Sequence, residues 1–194
     1  MIERLSKALV KLTNAASLNL GADCLIHAQL AQRLMQDHGI ASRVVVGAAA
    51  WRVGSGDSDV ITHMPSSVSV NQGGKPAIGY HAWLQIGDTI VDFSTHTLQR
   101  KGRELDALDG GTTNVVWCPD YLVVNARETK TFREVAQAPA EGVSFYAEIP
   151  GLLDLMVERG LVTDQPDEYD LSMLRLVFAS PDATVLGPCS NPAE

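Results

Sequence analysis

The residues best suited to chemistry in this chain are a cysteine, a histidine and an aspartate: Cys24, His81 and Asp92. Cys24 stands at the start of a helical pattern, and the unpaired backbone N–H groups of a first helical turn stabilise a thiolate. An imidazole can accept the thiol proton, and a carboxylate on its other ring nitrogen fixes the tautomer and stabilises the imidazolium. These residue types predict an activated cysteine nucleophile, with His81 as its base and Asp92 as the group that orients the base.

The helix that carries Cys24 leads directly into a core strand. Residues 23–38 contain neither Gly nor Pro, which predicts a helix with Asp23 as N-cap and Gly39 as the stop. The stretch 42–51 is rich in β-branched and small residues without polar alternation. It predicts a central strand that is covered on both faces.

A hairpin is predicted to bring the histidine and the aspartate together. With Gly87-Asp88 as a two-residue turn, Leu84 pairs with Val91 and Ile86 with Thr89. In that register His81 and Asp92 lie diagonally across the two strands on one face, within reach of each other's side chains. A register in which Gln85 pairs with Asp88 would set the two residues directly opposite each other, whereas a register shifted by one residue would place them on opposite faces.

These elements resemble the transglutaminase-like core of the papain-like cysteine enzymes. The motifs that carry the resemblance are GADC at 21–24, GIASRVVVG at 39–47, HAW at 81–83 and VD at 91–92. The family motif has proline and alanine where this chain has Ala41 and Ser42. The resemblance implies an α+β fold whose N-terminal helices include a cysteine helix packed on an antiparallel sheet. It also implies a Cys-His-Asp triad made of Cys24, His81 and Asp92.

The chemistry implied by the resemblance is acyl transfer through a Cys24 thioester, which covers peptide or amide hydrolysis and transamidation. The oxyanion needs hydrogen-bond donors, and the Cys24 backbone N–H supplies one by position. Asn19 is a candidate for a second donor, in analogy to the upstream glutamine of papain-like peptidases. Two alternatives stay open: a non-catalytic binding module on the same fold, and a metal-dependent hydrolase with Cys24, His81 and Asp92 as ligands.

Other histidines, cysteines and aromatic residues are predicted to be structural. His27 follows Cys24 by one helical turn and is expected to make a buried structural contact. His63 and His96 lie in loop-like sequence, where solvent exposure is the default. Cys118, among apolar neighbours, is expected to be buried or to end a strand. Trp83 is expected to pack beside the triad and shield it.

Composition limits the class of protein and its partners. A net charge of −8 argues against nucleic acid or an anionic membrane as the main partner. Three scattered cysteines form no disulfide framework, which suggests a reducing, cytoplasmic compartment. Neither a cofactor motif nor the spacing of a structural zinc site is evident. The expected partner is a peptide, amide or other acyl substrate.

The remaining sequence predicts one domain over residues 1–187 and a flexible tail over 188–194. An amphipathic helix is expected over 1–16, because Ile2, Leu5, Leu9 and Leu12 recur at helical spacing. Further elements are expected as follows: strands at 113–118, 121–124 and 143–149, a helix at 151–159 that stops at Gly160, and an acidic loop at 164–170.

Overall fold

The computed structural model describes residues 1–16, 24–65, 68–70 and 76–188. Helices and strands alternate irregularly along these residues, and every strand pairing is antiparallel. The helices are α1 Ile2–Ala15, α2 Cys24–Asp37, α3 Leu98–Asp109, α4 Phe132–Ala136, α5 Leu152–Glu158 and α6 Glu168–Ala179. The strands are β1 Arg43–Arg52, β2 Val60–His63, β3 Val68–Val70, β4 Pro76–Ile78, β5 His81–Ile86, β6 Thr89–Asp92, β7 Leu122–Asn125 and β8 Ser144–Glu148.

Helix α2 begins at Cys24 and ends where the sequence predicts. Gly39 adopts φ +72, and its backbone N–H donates to the Gln36 carbonyl at 2.9 Å. The next N–H, of Ile40, reaches back to the Met35 carbonyl at 2.9 Å. This pair of hydrogen bonds is a Schellman motif, which a glycine in the left-handed region makes inexpensive. The predicted N-cap, Asp23, lies outside the described residues.

Strand β1 is the centre of the sheet, as predicted, and its last eight residues are buried. Its pairing is unusual because two strands lie in line along one of its edges. Strand β5 pairs with residues 43–47 of β1, and β2 pairs with residues 49–52. Strand β8 pairs with residues 47–51 along the opposite edge. The sheet continues from β5 through β6 to β7.

Gly47 sits where β5 and β8 flank β1 at the same residue. It pairs with His81 on one side and with Glu148 on the other. A Cβ at this position would lie 2.0 Å from the backbone oxygen of Ala147. Only glycine lets β8 approach this closely, so the glycine that ends the GIASRVVVG motif has a packing role.

Helices pack against both faces of the sheet. On one face α1, α2 and α6 share a core with Leu84 and Val91 of the hairpin. On the other face the core contains Trp51, Trp83 and Tyr146 together with Leu98 of α3. The chain is thus a mixed fold with a curled antiparallel sheet, which agrees with the predicted α+β class.

Several predicted elements need correction. Residues 113–118 form no strand: the Val116 and Trp117 N–H groups both donate to the single carbonyl of Val53 at 2.8 Å, so no regular ladder forms. The acidic loop predicted at 164–170 contains the start of α6, whose N-cap Asp167 accepts from the Tyr169 N–H at 2.7 Å. Helices α3 and α4 were not predicted from the sequence.

The other predicted elements are present, with each end shifted by one residue. These are α1, α5 with Gly160 at φ +64 just beyond it, β7 and β8. The single-domain boundary at 187 stays a prediction, and residues 189–194 of the predicted tail lie outside the described residues.

Candidate active site

The predicted hairpin forms with the predicted register. Leu84 pairs with Val91 and Ile86 with Thr89, around a turn in which Gly87 has φ +55. The side chains of His81 and Asp92 meet across the strands, with Nε2 of the imidazole 2.7 Å from Oδ2 of the carboxylate. Both residues are buried, with 1% and 0% of their surface exposed. A charged pair this deeply buried persists only where further hydrogen bonds compensate for lost hydration.

Asp92 has those further hydrogen bonds. Its Oδ1 accepts from the backbone N–H of Ser94 at 2.9 Å and from the Ser94 hydroxyl at 2.8 Å. Its Oδ2 accepts from the Tyr146 hydroxyl at 2.8 Å as well as from His81. Burial alone would raise the pKa of this carboxyl, but the charge of His81 and the hydrogen bonds outweigh it and hold the pKa well below its usual range. Asp92 is therefore a carboxylate.

The tautomer of His81 follows from the donors around Asp92. A carboxylate accepts only, so Nε2 of His81 must carry the proton of the shared hydrogen bond. The free lone pair of the neutral ring is then on Nδ1. Nδ1 is buried and has no partner at hydrogen-bond distance. The imidazole is therefore set up to take one proton at Nδ1.

Cys24 is the group that acts on His81 besides Asp92. Burial lowers the pKa of His81, but the charges of Asp92 and Cys24, with the hydrogen bond to Asp92, raise it to about 9. Since Nε2 is taken by Asp92, the thiol acts from the side of Nδ1. Nδ1 has no formed hydrogen bond, and catalytic hydrogen bonds are often incomplete before substrate binds.

Cys24 is held at the sheet by its helix. It is the first residue of α2 and is 5% exposed. It packs with Ala28 of its own helix against Val46 of β1 and Ala82 of β5. Ala82 is the neighbour of His81, so this packing fixes the start of α2 beside the hairpin. Asn19, the predicted oxyanion donor, lies outside the described residues and stays a prediction.

Aromatic rings enclose the imidazole of His81. Trp51 meets it edge-on with ring centroids 4.7 Å apart, and Trp83 stacks at 6.1 Å with an interplanar angle of 18°. His63 approaches at 5.5 Å, also edge-on. Trp83 thus has the shielding position that the sequence predicts. Apolar walls strengthen the electrostatic coupling among Cys24, His81 and Asp92 because they exclude water.

The prediction that His63 and His96 are solvent-exposed is wrong. His63 lies on β2, and its Nδ1 donates to the Tyr80 carbonyl at 3.1 Å. Burial, aided by the charges of Lys101 and His81, lowers the pKa of His63 to about 3, so it is neutral near pH 7. His96 lies in a 3₁₀ turn after β6, where burial likewise lowers its pKa. Both sites are enclosed by long-range packing that loop-like sequence does not reveal.

The other predicted structural residues are built into the fold. Nε2 of His27 is 3.0 Å from the Thr13 hydroxyl of α1, in a buried contact. Cys118 is half-buried, and its thiol donates to the carbonyls of Thr95 and His96 at 3.4 Å.

Three residues of the site were missed by sequence reasoning: Ser94, Tyr146 and Trp51. Ser94 and Tyr146 each donate to Asp92 directly. Trp51 is linked to Asp92 through Tyr146, because its Nε1 donates to the Tyr146 hydroxyl at 2.9 Å. Ser94 was accessible from sequence, because a serine two residues after an aspartate commonly closes a local turn. Tyr146 has no such local signal, since its contact with Asp92 spans 54 residues of chain.

Comparisons with known proteins add one fact about the fold. Neither a family model nor a curated protein matches the chain. A solved structure described as "The crystal structure of genomics APC5867" superposes with a TM-score of 0.54 at 13% identity. The match covers 95% of this chain and 82% of that one. At this identity the similarity shows a shared fold alone.

The described residues also bear on membranes and metals. None of the described helices combines the length and apolar character needed to cross a bilayer. No group of three or more His, Cys, Asp and Glu side chains among these residues is arranged to hold a metal ion. His81 and Asp92 use their facing atoms to bind each other.

Proposed function

We propose that this protein is a cysteine-dependent acyl-transfer enzyme with Cys24 as nucleophile, His81 as base and Asp92 as the residue that orients the base. We also propose that its core is transglutaminase-like, with the papain-like order of cysteine helix, central strand, histidine strand and aspartate strand. The observation that carries the proposal is the buried His81–Asp92 pair, which leaves Nδ1 of His81 without a formed hydrogen bond while Cys24 acts on the same imidazole through its charge.

The proposed reaction has two halves. The thiol proton of Cys24 passes to Nδ1 of His81, and the resulting thiolate Sγ attacks the acyl carbon of an amide or peptide. The tetrahedral oxyanion collapses, the C–N bond breaks, and His81 returns the proton to the departing amine, which leaves a thioester. Water or a second amine then attacks the thioester and gives its proton to Nδ1. The C–S bond breaks with its electron pair on Sγ, which restores the thiolate–imidazolium pair and releases a carboxylic acid or a new amide.

Asp92 supports each proton transfer without taking a proton itself. Its four hydrogen bonds keep it ionised, so it stabilises the imidazolium that forms in both halves. The backbone N–H of Cys24, the first residue of α2, is the proposed donor to the oxyanion. Substrate classes that fit this chemistry are peptides, amides and other acyl compounds.

Alkylation of the native protein with iodoacetamide tests the proposal. At about pH 6, well below the ordinary thiol pKa, we expect carboxamidomethylation at Cys24 and little at Cys118, located by mass spectrometry of the peptides. If access of the reagent to the thiol alone decided the labelling, Cys118 would react first, because Cys24 is 5% exposed whereas Cys118 is half-buried. Preferential labelling of Cys24 would therefore report a thiolate.

His81→Gln is the matched variant for this experiment. It keeps a polar side chain beside Asp92 but offers no base with the acidity of imidazole. Labelling of Cys24 at about pH 6 should then fall to the level of Cys118. Equal labelling of both cysteines in the wild-type protein would refute the catalytic assignment. A binding module on the same fold would then be the better description.

A further inference from the structure

Tyr146 lies beside the proposed triad, in a chain of hydrogen bonds that runs from Trp51 through Tyr146 to Asp92. The Trp51 indole nitrogen is 2.9 Å from the Tyr146 oxygen, which is 2.8 Å from Oδ2 of Asp92. An indole N–H can only donate, so the tyrosine oxygen accepts from Trp51. The single hydroxyl proton of Tyr146 is then directed at Asp92. The direction of the whole chain follows from donor chemistry.

From this chain we infer that Tyr146, oriented by Trp51, is a positioning residue that sets how strongly Asp92 attracts the proton on His81. Asp92 presents one oxygen, Oδ2, to both Nε2 of His81 and the phenol. Two donors on one carboxylate oxygen share its negative charge, so each weakens the bond of the other. Tyr146 therefore moderates the pull of Asp92 on the imidazole. This role rests on the proposed function, because a tuned base matters only if His81 serves Cys24.

The burial of these residues makes the moderation strong enough to matter. Trp51 is 1% exposed, Tyr146 is 8% exposed and Asp92 is fully buried, so water does not compete for their hydrogen bonds. The pKa of the Tyr146 phenol is raised well above its usual value by burial and by the charge of Asp92. Tyr146 thus stays protonated, and its hydroxyl donates a hydrogen bond to Asp92 throughout the pH range in which enzymes work.

A moderated base suits a cysteine nucleophile better than a maximally strong one. His81 must accept the thiol proton and later release it to a leaving amine, so an imidazolium held too tightly would slow the second step. The titratable groups that face His81 are Cys24 on α2, Asp92 on β6, His63 on β2 and Tyr146 on β8. Of these, Tyr146 is the one that can weaken the hydrogen bond between Asp92 and His81 without carrying a charge.

Titration of the histidine side chains by NMR tests this inference directly. The His81 signal is the one absent from His81→Gln, and its titration midpoint needs no substrate. In Tyr146→Phe, Asp92 loses one donor and binds the imidazolium more tightly, so the His81 midpoint should rise by about half to one pH unit. Tyr169→Phe is the matched control, because Tyr169 is 71% exposed on α6 and should leave the midpoint unchanged.

A second variant changes donor strength and keeps the phenol. Site-specific 3-fluorotyrosine at position 146 makes the hydroxyl a stronger donor, so the His81 midpoint should fall. Opposite shifts in the two variants would establish the role, since loss of packing alone would not reverse sign. An unmoved or lowered midpoint in folded Tyr146→Phe would overturn the inference. Should Tyr146→Phe fail to fold, the fluorotyrosine protein decides: a lowered midpoint supports the inference, and any other result overturns it.

The outcomes for Tyr146 and for the proposed function are separable. If Cys24 is not selectively alkylated at about pH 6 but the His81 midpoint still shifts as expected, the enzyme assignment fails and the Tyr146 coupling stands. If Cys24 is selectively alkylated and the midpoint does not move, the triad stands and Tyr146 is merely structural. Unfolding midpoints of all variants show whether a change in titration follows from a loss of fold.

Discussion

Replacement of Asp92 by asparagine should disable the proposed base while leaving the size of the side chain unchanged. Four donors surround the carboxylate, and the Ser94 backbone N–H among them can only donate. An asparagine amide must therefore place its oxygen toward Ser94 and its NH₂ toward His81 and Tyr146. Nε2 of His81 would have to accept from that NH₂, which moves the ring proton to Nδ1. The lone pair that should receive the thiol proton is then lost.

The size of the effect follows from the electrostatics of the pair. The charge of Asp92 is the largest of the influences that raise the pKa of His81 to about 9, against burial that lowers it. Without that charge the pKa should return to about 6.5 or below, a fall of roughly two units or more. The thiolate–imidazolium pair should then be about 10²- to 10³-fold less populated near neutral pH. The wrong tautomer adds to this loss, and the equivalent change in serine proteases costs about 10⁴-fold in turnover.

The assay is the second-order rate constant for alkylation of Cys24 at about pH 7, measured in wild-type protein, Asp92→Asn and Asp88→Asn. Asp88 is the matched control: it lies in the turn of the same hairpin, and its carboxylate pairs with Arg127 at 2.8 Å on the surface. Asp88→Asn should react like the wild type. A folded Asp92→Asn protein that also reacts like the wild type would refute the orienting role of Asp92.

Three further outcomes are expected. The pKa of His63 is lowered to about 3, so the folded protein binds a proton at this residue less well than the unfolded chain does. The free energy of unfolding should therefore be highest above about pH 6.5 and decrease as the pH falls toward 3. At about pH 5 the decrease reaches up to about 2 kcal/mol, and urea unfolding of His63→Gln should lack it. Gly47→Ala places a Cβ 2.0 Å from the Ala147 oxygen, so we expect about 3 kcal/mol or more of destabilisation, which an unchanged unfolding midpoint would contradict. Cys24→Ala should stay folded and abolish turnover of an acyl substrate, and a double change with His81→Ala should be little worse, because the two residues act as one unit; normal turnover in Cys24→Ala would rule out a thioester.

Local signals account for the parts of the site that the sequence predicted. Gly39 ends α2 through its positive φ, and Gly87-Asp88 sets a two-residue turn that leaves one register for the hairpin. Once that register is fixed, the alternation of side chains places His81 and Asp92 on one face. The end of α2 and the hairpin were therefore predictable from residues close together in the chain.

The parts that were missed depend on contacts between distant segments. Tyr146 reaches Asp92 only because β8 pairs with β1 on the edge opposite to β5, and nothing near residue 146 signals that pairing. Helix α3 was obscured by Gly102, which is placed for packing: a Cβ there would lie 2.9 Å from a methyl group of Val115. The acidic residues at the start of α6 suggested a loop, although Asp167 is a cap and its neighbours suit a helix N-terminus.

The in-line arrangement of β2 and β5 determines where this protein can tolerate insertions and deletions during evolution. The chain leaves one edge of β1 at His63 and rejoins the same edge at His81, and the hydrogen bond from His63 to the Tyr80 carbonyl closes the gap at 3.1 Å. Both attachment points are fixed by the sheet, so the intervening segment can be lengthened, shortened or exchanged without altering the register on either side. That segment departs from the sheet right beside the imidazole. For the proposed enzyme, replacement of this one segment would change substrate preference, while the hydrogen bond between His81 and Asp92 stays the same.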